Sequence, residues 1–111
     1  MHRVEIERHP RYAIVLAAGE LDAFAAPDLD SAFTEVRGEQ RVLADLDRVS
    51  FMDSTALGLI VRAARELGEV GVELRVVLPS GSARRIFEIT ALDRVLPVAA
   101  TRQEAVADLA T

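Results

Sequence analysis

Asp53-Ser54-Thr55 sets a carboxylate beside two hydroxyls, and Asp22, Asp45 and Asp47 add further acidic groups along the first half of the chain. Two kinds of chemistry could draw on them. A serine nucleophile needs a base within hydrogen-bond reach and a third group to orient that base. The only imidazoles are those of His2 and His9, both in an opening hairpin pattern where surface and turn roles suffice, and the residues around Ser54 do not form a G-x-S-x-G elbow. No catalytic residue is assigned. A hard cation could use the carboxylates, yet Asp45 and Asp47 share one strand end without an ordered loop of oxygen donors, so the four aspartates read as solvated turn carboxylates. No metal and no cofactor are expected. Gly68 to Gly71 reads as a helix stop rather than a phosphate-binding loop, and Arg84-Arg85 as a solvated helix face. On spacing alone Asp53 and Ser54 are helix-capping residues, because unpaired N–H groups at a helix start donate to side-chain oxygens of Asp or Ser. Gly19 and Asp22 are then ordinary turn residues.

The elements that would carry these residues alternate between strand and helix. Val4-Glu5-Ile6-Glu7 alternates apolar and acidic, His9-Pro10-Arg11 turns, and Tyr12 to Leu16 is apolar on consecutive positions, as in a strand covered on both faces and stopping at Gly19. Ala26-Pro27-Asp28 opens a helix with a stripe at Leu29, Ala32, Phe33 and Val36, and Gly38 lies past its end. Val42 to Leu46 is the next strand. A helix follows from about Ser54 to Leu67, with the stripe Leu57, Ile60, Val61, Ala64 and Leu67. Leu74 to Leu78 is a buried strand, and Pro79-Ser80-Gly81-Ser82 breaks the chain before a short helix carrying Ala83, Ile86 and Phe87. A brief strand is expected around Leu96 to Val98, and the Thr101 to Glu104 capping-box spacing predicts a last helix to about Leu109. Such alternation predicts an α/β domain of residues 1–111, with helices on a mixed, mostly parallel sheet of four to five strands. If the strands ending at Leu16 and Leu46 are parallel, the turns Gly19-Glu20-Leu21-Asp22 and Phe51-Met52-Asp53-Ser54-Thr55 meet at one sheet edge, where open α/β folds place their sites.

Length and charge narrow the classes. With 111 residues, half of them hydrophobic and 28% charged, the chain suits one packed core. A net charge of -5 argues against binding a phosphate backbone, so nucleic acid is not an expected partner. The absence of cysteine removes disulfides, thiol nucleophiles and thiolate metal sites, and favours a cytoplasmic setting. The start Met1-His2-Arg3-Val4-Glu5 has no apolar core behind its basic residue, and the run Tyr12 to Ala18 falls short of the ~20 residues of a membrane span, so no membrane association is expected.

Phe51-Met52-Asp53-Ser54-Thr55-Ala56-Leu57-Gly58, preceded by Val42-Leu43-Ala44-Asp45-Leu46, resembles the signature of the anti-sigma factor antagonists of the STAS domain family. The resemblance spans nearly the whole chain. Gly19-Glu20-Leu21-Asp22 is similar to the family's first loop motif, and Phe87 with Ala91-Leu92-Asp93-Arg94-Val95 to its pattern near the C-terminus. The resemblance implies a STAS fold and a partner switch. Its unphosphorylated form would bind an anti-sigma factor that doubles as a serine kinase, releasing the sigma factor. Phosphorylation at Ser54 would end that binding, and a PP2C-type serine phosphatase would reverse it. Gly19, Glu20, Leu21, Asp22, Asp53, Ser54, Thr55, Ala56, Leu57 and Gly58 would form the docking surface. A competing role within the same family is that of an accessory subunit of a lipid or anion transporter or of a stress-signalling complex. Where the family commonly has serine and glycine, this chain has Thr55, a second hydroxyl, and Ala56, which has the higher helix propensity.

Phosphate at a helix start adds about -1.5 to -2 charges against the positive end of the helix dipole, so the modification is not expected to unfold its own helix. It would act on what docks there, through desolvation and through repulsion from acidic groups.

Overall fold

The computed structural model describes residues 1–78, 82–90 and 96–107. The chain runs β1 (His2–Arg8), β2 (Ala13–Leu21), α1 (Ala26–Glu35), β3 (Arg41–Met52), α2 (Ser54–Glu69), β4 (Glu73–Val77), α3 (Ser82–Ile89), β5 (Val98–Ala99) and α4 (Arg102–Val106). The five strands lie in the order β1-β2-β3-β4-β5, with β1 antiparallel to β2 and the remaining pairs parallel. This is the mixed, mostly parallel α/β sheet that the alternation of patterns predicts. The Pro79-Ser80-Gly81 break, the stretch Ala91-Leu92-Asp93-Arg94-Val95, the side chains of Ala83 and Ile86, and the expected course of the last helix to Leu109 lie outside the described residues.

Helices pack on both faces, unequally. On one face α1 contributes Leu29, Ala32 and Phe33, α2 contributes Ala56, Leu59, Ile60, Ala63 and Leu67, and Phe87 of α3 joins the same core over Val15, Ala17, Ala44 and Val76. Each fully buried Leu, Ile or Phe there is worth roughly 1.5–3 kcal/mol against exposure. On the other face a smaller cluster of Ile14, Leu43 and Val77 is covered by Ala105 and Val106 of α4. That division explains why β2 and the start of β3, Val42 to Ala44, are apolar on successive positions while β1, at the edge, alternates.

The buried stripe of α2 differs from the sequence expectation. Leu57, Val61 and Ala64 flank the core half-buried, and the central line runs through Ala56, Ile60, Ala63 and Leu67. Two alanines, Ala56 and Ala63, share that line with Ile60 and Leu67, while Leu57, Val61 and Ala64 lie at its sides.

Strands β2 and β3 are also longer than expected. They continue to Leu21 and Met52, past the expected stops at Gly19 and Leu46, and the pairing between them carries two irregularities. Leu16 pairs with Asp45 but Ala18 with Arg48, and Gly19 pairs with Val49 but Glu20 with Phe51, so β3 accommodates one extra residue at each place. Its core-facing residues run Val42, Ala44, Leu46 and then Val49, Met52. A spacing that lengthens from two to three is what a β-bulge does to side-chain alternation, and it gives the end of β3 the look of a turn.

Candidate functional site at the carboxyl edge of β2 and β3

Because β2 and β3 are parallel neighbours, both chain segments leave the sheet at the same edge, and they are tied there. The Asp53 amide donates to the Leu21 carbonyl at 3.1 Å, just beyond the Leu21–Met52 pairing. Two helices start from this junction, and each start is organised by an aspartate.

At α2 the organiser is Asp53, whose carboxylate accepts from the Ala56 amide at 3.0 Å while its carbonyl accepts from Leu57. It is the N-cap residue, in extended conformation at φ -95° and ψ 178°. Ser54 is the first helical residue and Thr55 the second, and both are exposed. Neither amide has an acceptor within the helix, as at any helix start, so donors and the positive end of the helix dipole lie beside the Ser54 hydroxyl. The cap belongs to Asp53, leaving the Ser54 side chain uncommitted.

At the other segment Asp22 orders the approach to α1. Its carboxylate accepts from the amides of Phe24 at 3.0 Å and Ala25 at 3.2 Å, and its carbonyl accepts from Ala25 and Ala26. Gly19 and Glu20, expected in a turn, are strand residues. Gly19 adopts φ +81°, and a Cβ there would collide with the Met1 carbonyl oxygen, so glycine is required by the close approach of β1 as well as by the backbone angle. Of the ten residues named for docking, Leu21 and Ala56 are buried and brace the surface from beneath, whereas Glu20, Ser54, Thr55 and Gly58 are exposed and Asp22, Asp53 and Leu57 half-buried.

Two aromatics at this edge stand outside the expected docking set. Phe24, in the segment between Asp22 and α1, is 86% exposed, and Phe51, the residue before Met52, is 53% exposed. The bulge at Ser50 sets Phe51 out of line with the core-facing Val49 and Met52. In the sequence the only signal for Phe24 is a lone aromatic among alanines with no periodic apolar partner.

The other candidate groups lie apart. His2 Nε2 sits 2.7 Å from Asp28 of α1, and His9 stacks on Tyr12 with ring centroids 4.6 Å apart. Asp45 is not a solvated turn carboxylate. It is only 6% exposed, and one oxygen receives Arg102 Nε at 3.0 Å and Nη2 at 2.8 Å while the other accepts from the Asp47 amide. The same guanidinium donates to both oxygens of Glu7, at 3.3 and 3.0 Å. Burial works against the charge of Arg102, but the bonds to Asp45 and Glu7 outweigh it and hold the group above its usual pKa. This cluster pins α4 to β1 and β3. Asp45 and Arg102 are 57 residues apart, beyond any local pattern. Arg84 is likewise more than a solvated residue, donating to the Leu78 carbonyl at 2.9 Å, while Arg85 is exposed. Among the described residues no helix is long and apolar enough to cross a membrane.

With this geometry in place, comparison with known proteins gives a consistent picture. The STAS domain family model matches residues 3–105. An anti-sigma-B factor antagonist of Staphylococcus aureus is 34% identical over 97 residues, covering 86% of this chain and 90% of its own. The crystal structure of an anti-sigma factor antagonist from Mycobacterium paratuberculosis superposes with a TM-score of 0.84 at 26% identity, covering 100% of this chain and 96% of that one. The Bacillus cell fate determinant SpoIIAA in its phosphorylated form gives 0.76 at 25% identity over 96% of this chain and 99% of that one, and its unphosphorylated form gives 0.80 at 25% identity over 96% of each. The chain belongs to the STAS domain family and is a relative of its anti-sigma factor antagonists.

Proposed function

We propose that this protein is an anti-sigma factor antagonist, a regulatory binding protein rather than an enzyme, whose site is the edge where the β2–α1 and β3–α2 segments meet. In its unmodified form it binds a cytoplasmic anti-sigma factor and thereby frees the sigma factor. That anti-sigma factor is also a serine kinase, it transfers the phosphoryl group of ATP to Ser54, and the product no longer binds. A PP2C-type phosphatase restores the binding form.

The observation that carries this reading is the placement of Ser54: an exposed hydroxyl on the first residue of α2, beside a cap that Asp53 supplies without it. A phosphate there meets helix-start amides that have no helical acceptor, which favours the modified helix by about 0.3–1 kcal/mol per charge at an exposed site. It also lies next to the Asp53 carboxylate, whose repulsion of a dianion ~6 Å away in water is about 1.4 kcal/mol. The two nearly cancel, so phosphorylation is neutral for the fold and its effect falls on the partner. The likeness to SpoIIAA in both its unphosphorylated and its phosphorylated form supports a modification that such a fold accommodates.

Incubation with the cognate kinase and ATP, followed by mass spectrometry, tests the assignment. One phosphate on Ser54, lost in Ser54→Ala, is the expected result. Phosphate on Thr55 of the wild type, or undiminished labelling of Ser54→Ala, overturns it.

A further inference from the structure

Phe24 is unusual in its setting. A phenylalanine that presents most of its ring to water forgoes the burial that large apolar side chains ordinarily gain on folding, and among the described residues the buried core already contains Phe33 and Phe87. Its backbone, however, is fixed. The Phe24 amide is held by the Asp22 carboxylate, and the same oxygen holds the next amide, so the ring projects from an ordered turn whose position is set by the β2–β3 junction through the Asp53-to-Leu21 bond. An aromatic displayed from a pre-ordered turn loses little conformational entropy on binding, which is the property of an interface anchor. Phe51 lies at the end of the neighbouring strand, so the same edge offers a second partly exposed ring.

We propose that Phe24 is the apolar anchor of the docking surface and that Asp22 is its positioning residue, acting through the turn rather than by touching the partner. This rests on the reading of the edge as an anti-sigma factor site and adds what that site recognises. The occupant is an apolar pocket on the anti-sigma factor with basic or N–H groups at its rim, because the turn that carries the ring leaves the β2 end tied by a backbone bond to Asp53, on a chain of net charge -5. The Asp22 carboxylate is already spent on two backbone amides, which makes it a poor contact and a good clamp.

The two roles of Asp22 separate experimentally, because Asp22→Asn keeps an acceptor oxygen for the turn and removes the charge, whereas Asp22→Ala removes both. Titration calorimetry with the purified cognate anti-sigma factor, on folded variants verified by thermal melting, gives the test. The expected result is a loss of about tenfold or more in affinity for Phe24→Ala, a smaller loss for Phe24→Leu, a change within about twofold for Asp22→Asn, and a loss for Asp22→Ala similar to that of Phe24→Ala. The Asp22→Ala/Phe24→Ala double variant should be little weaker than either single one, the signature of residues acting as one unit. Unchanged binding of Phe24→Ala overturns the proposal, and so does Asp22→Asn binding as weakly as Asp22→Ala, which would make the charge itself the contact. Concentration-dependent dimerisation abolished by Phe24→Ala, with anti-sigma binding intact, would assign the ring to self-association and equally overturn it. In any of these cases a retained effect of Ser54 phosphorylation leaves the partner-switch reading standing, whereas an anti-sigma factor indifferent to Ser54 but sensitive to Phe24 would remove the switch and keep the anchor.

Discussion

Replacing Arg102 by methionine should destabilise the protein far more than an exposed ion pair would, and the reason is Asp45. The methionine keeps the aliphatic stem against the sheet and removes the guanidinium. Asp45 then loses both of its Arg102 bonds and keeps only the Asp47 amide, in a position 6% exposed to solvent. Glu7 loses two bonds as well, but it is half-buried and regains water. Breaking a fully buried pair costs about 3–5 kcal/mol, and because the Arg102 side chain is 37% exposed the appropriate figure is lower, about 2–3 kcal/mol. An unfolding entropy near 2.1 cal/mol/K per residue over 111 residues makes each kcal/mol worth about 4 °C, so Tm should fall by about 10 °C. Circular dichroism melting at pH 7 measures this directly. Glu7→Gln should lower Tm by no more than ~3 °C, and adding Asp45→Asn to Arg102→Met should recover part of the loss by removing the stranded charge. A fall below ~3 °C for Arg102→Met, or no recovery in the double variant, would refute the view that a buried carboxylate is what makes the cluster matter. Labelling of Ser54 should be unaffected, since the cluster holds α4 and not the start of α2.

Gly19→Ala should cost about 2 kcal/mol or more, since it combines a left-handed backbone angle with a collision against the Met1 carbonyl; urea unfolding reads it, and a neutral result would show that β1 is free to move away. Asp53→Ala removes the cap of α2 and should lower stability by about 1 kcal/mol, with Asp53→Asn costing less, checked in the same assay. Gly58→Ala meets open space on an exposed helical turn and should raise stability by about 0.5–1 kcal/mol, a gain that melting detects. If Gly58 also lies under the partner, that variant will bind more weakly while melting higher.

The parts of the fold legible in sequence were those governed by local periodicity. Pro27 in the first turn of α1, the stripe Leu29, Ala32 and Phe33, and the Thr101 and Glu104 capping box all stand as the spacing predicts. The parallel pairing that joins the two loops followed from topology, and the structure supplies it. What local patterns concealed was set by non-local geometry. The bulges in β3 replaced a period of two by steps of three and disguised Val49 to Met52 as loop. The buried line of α2 lies one position to the side of the expected stripe, with Ala56 and Ala63 buried where Leu57 and Ala64 were expected, because tertiary packing decides which flank of the helix meets the sheet. Asp45 looked solvated because its partner lies on the last helix. At the candidate site, Asp53 and Ser54 could both be read as caps from composition; only the hydrogen bond to Ala56 shows that Asp53 alone performs that task.

The most direct test of the switch is a pair of calorimetric titrations of the cognate anti-sigma factor, one into unmodified protein and one into protein stoichiometrically phosphorylated at Ser54, each accompanied by a melting curve. A dianion that is well solvated in the free domain must be dehydrated or set against opposing acidic groups when the partner closes, so Kd should rise by about two orders of magnitude, roughly 3 kcal/mol. The two melting temperatures should agree within ~5 °C, because helix-start stabilisation and repulsion from Asp53 nearly offset. Binding that is unchanged or tighter after phosphorylation, or a fall in Tm well beyond that range, would contradict a switch carried by the interface.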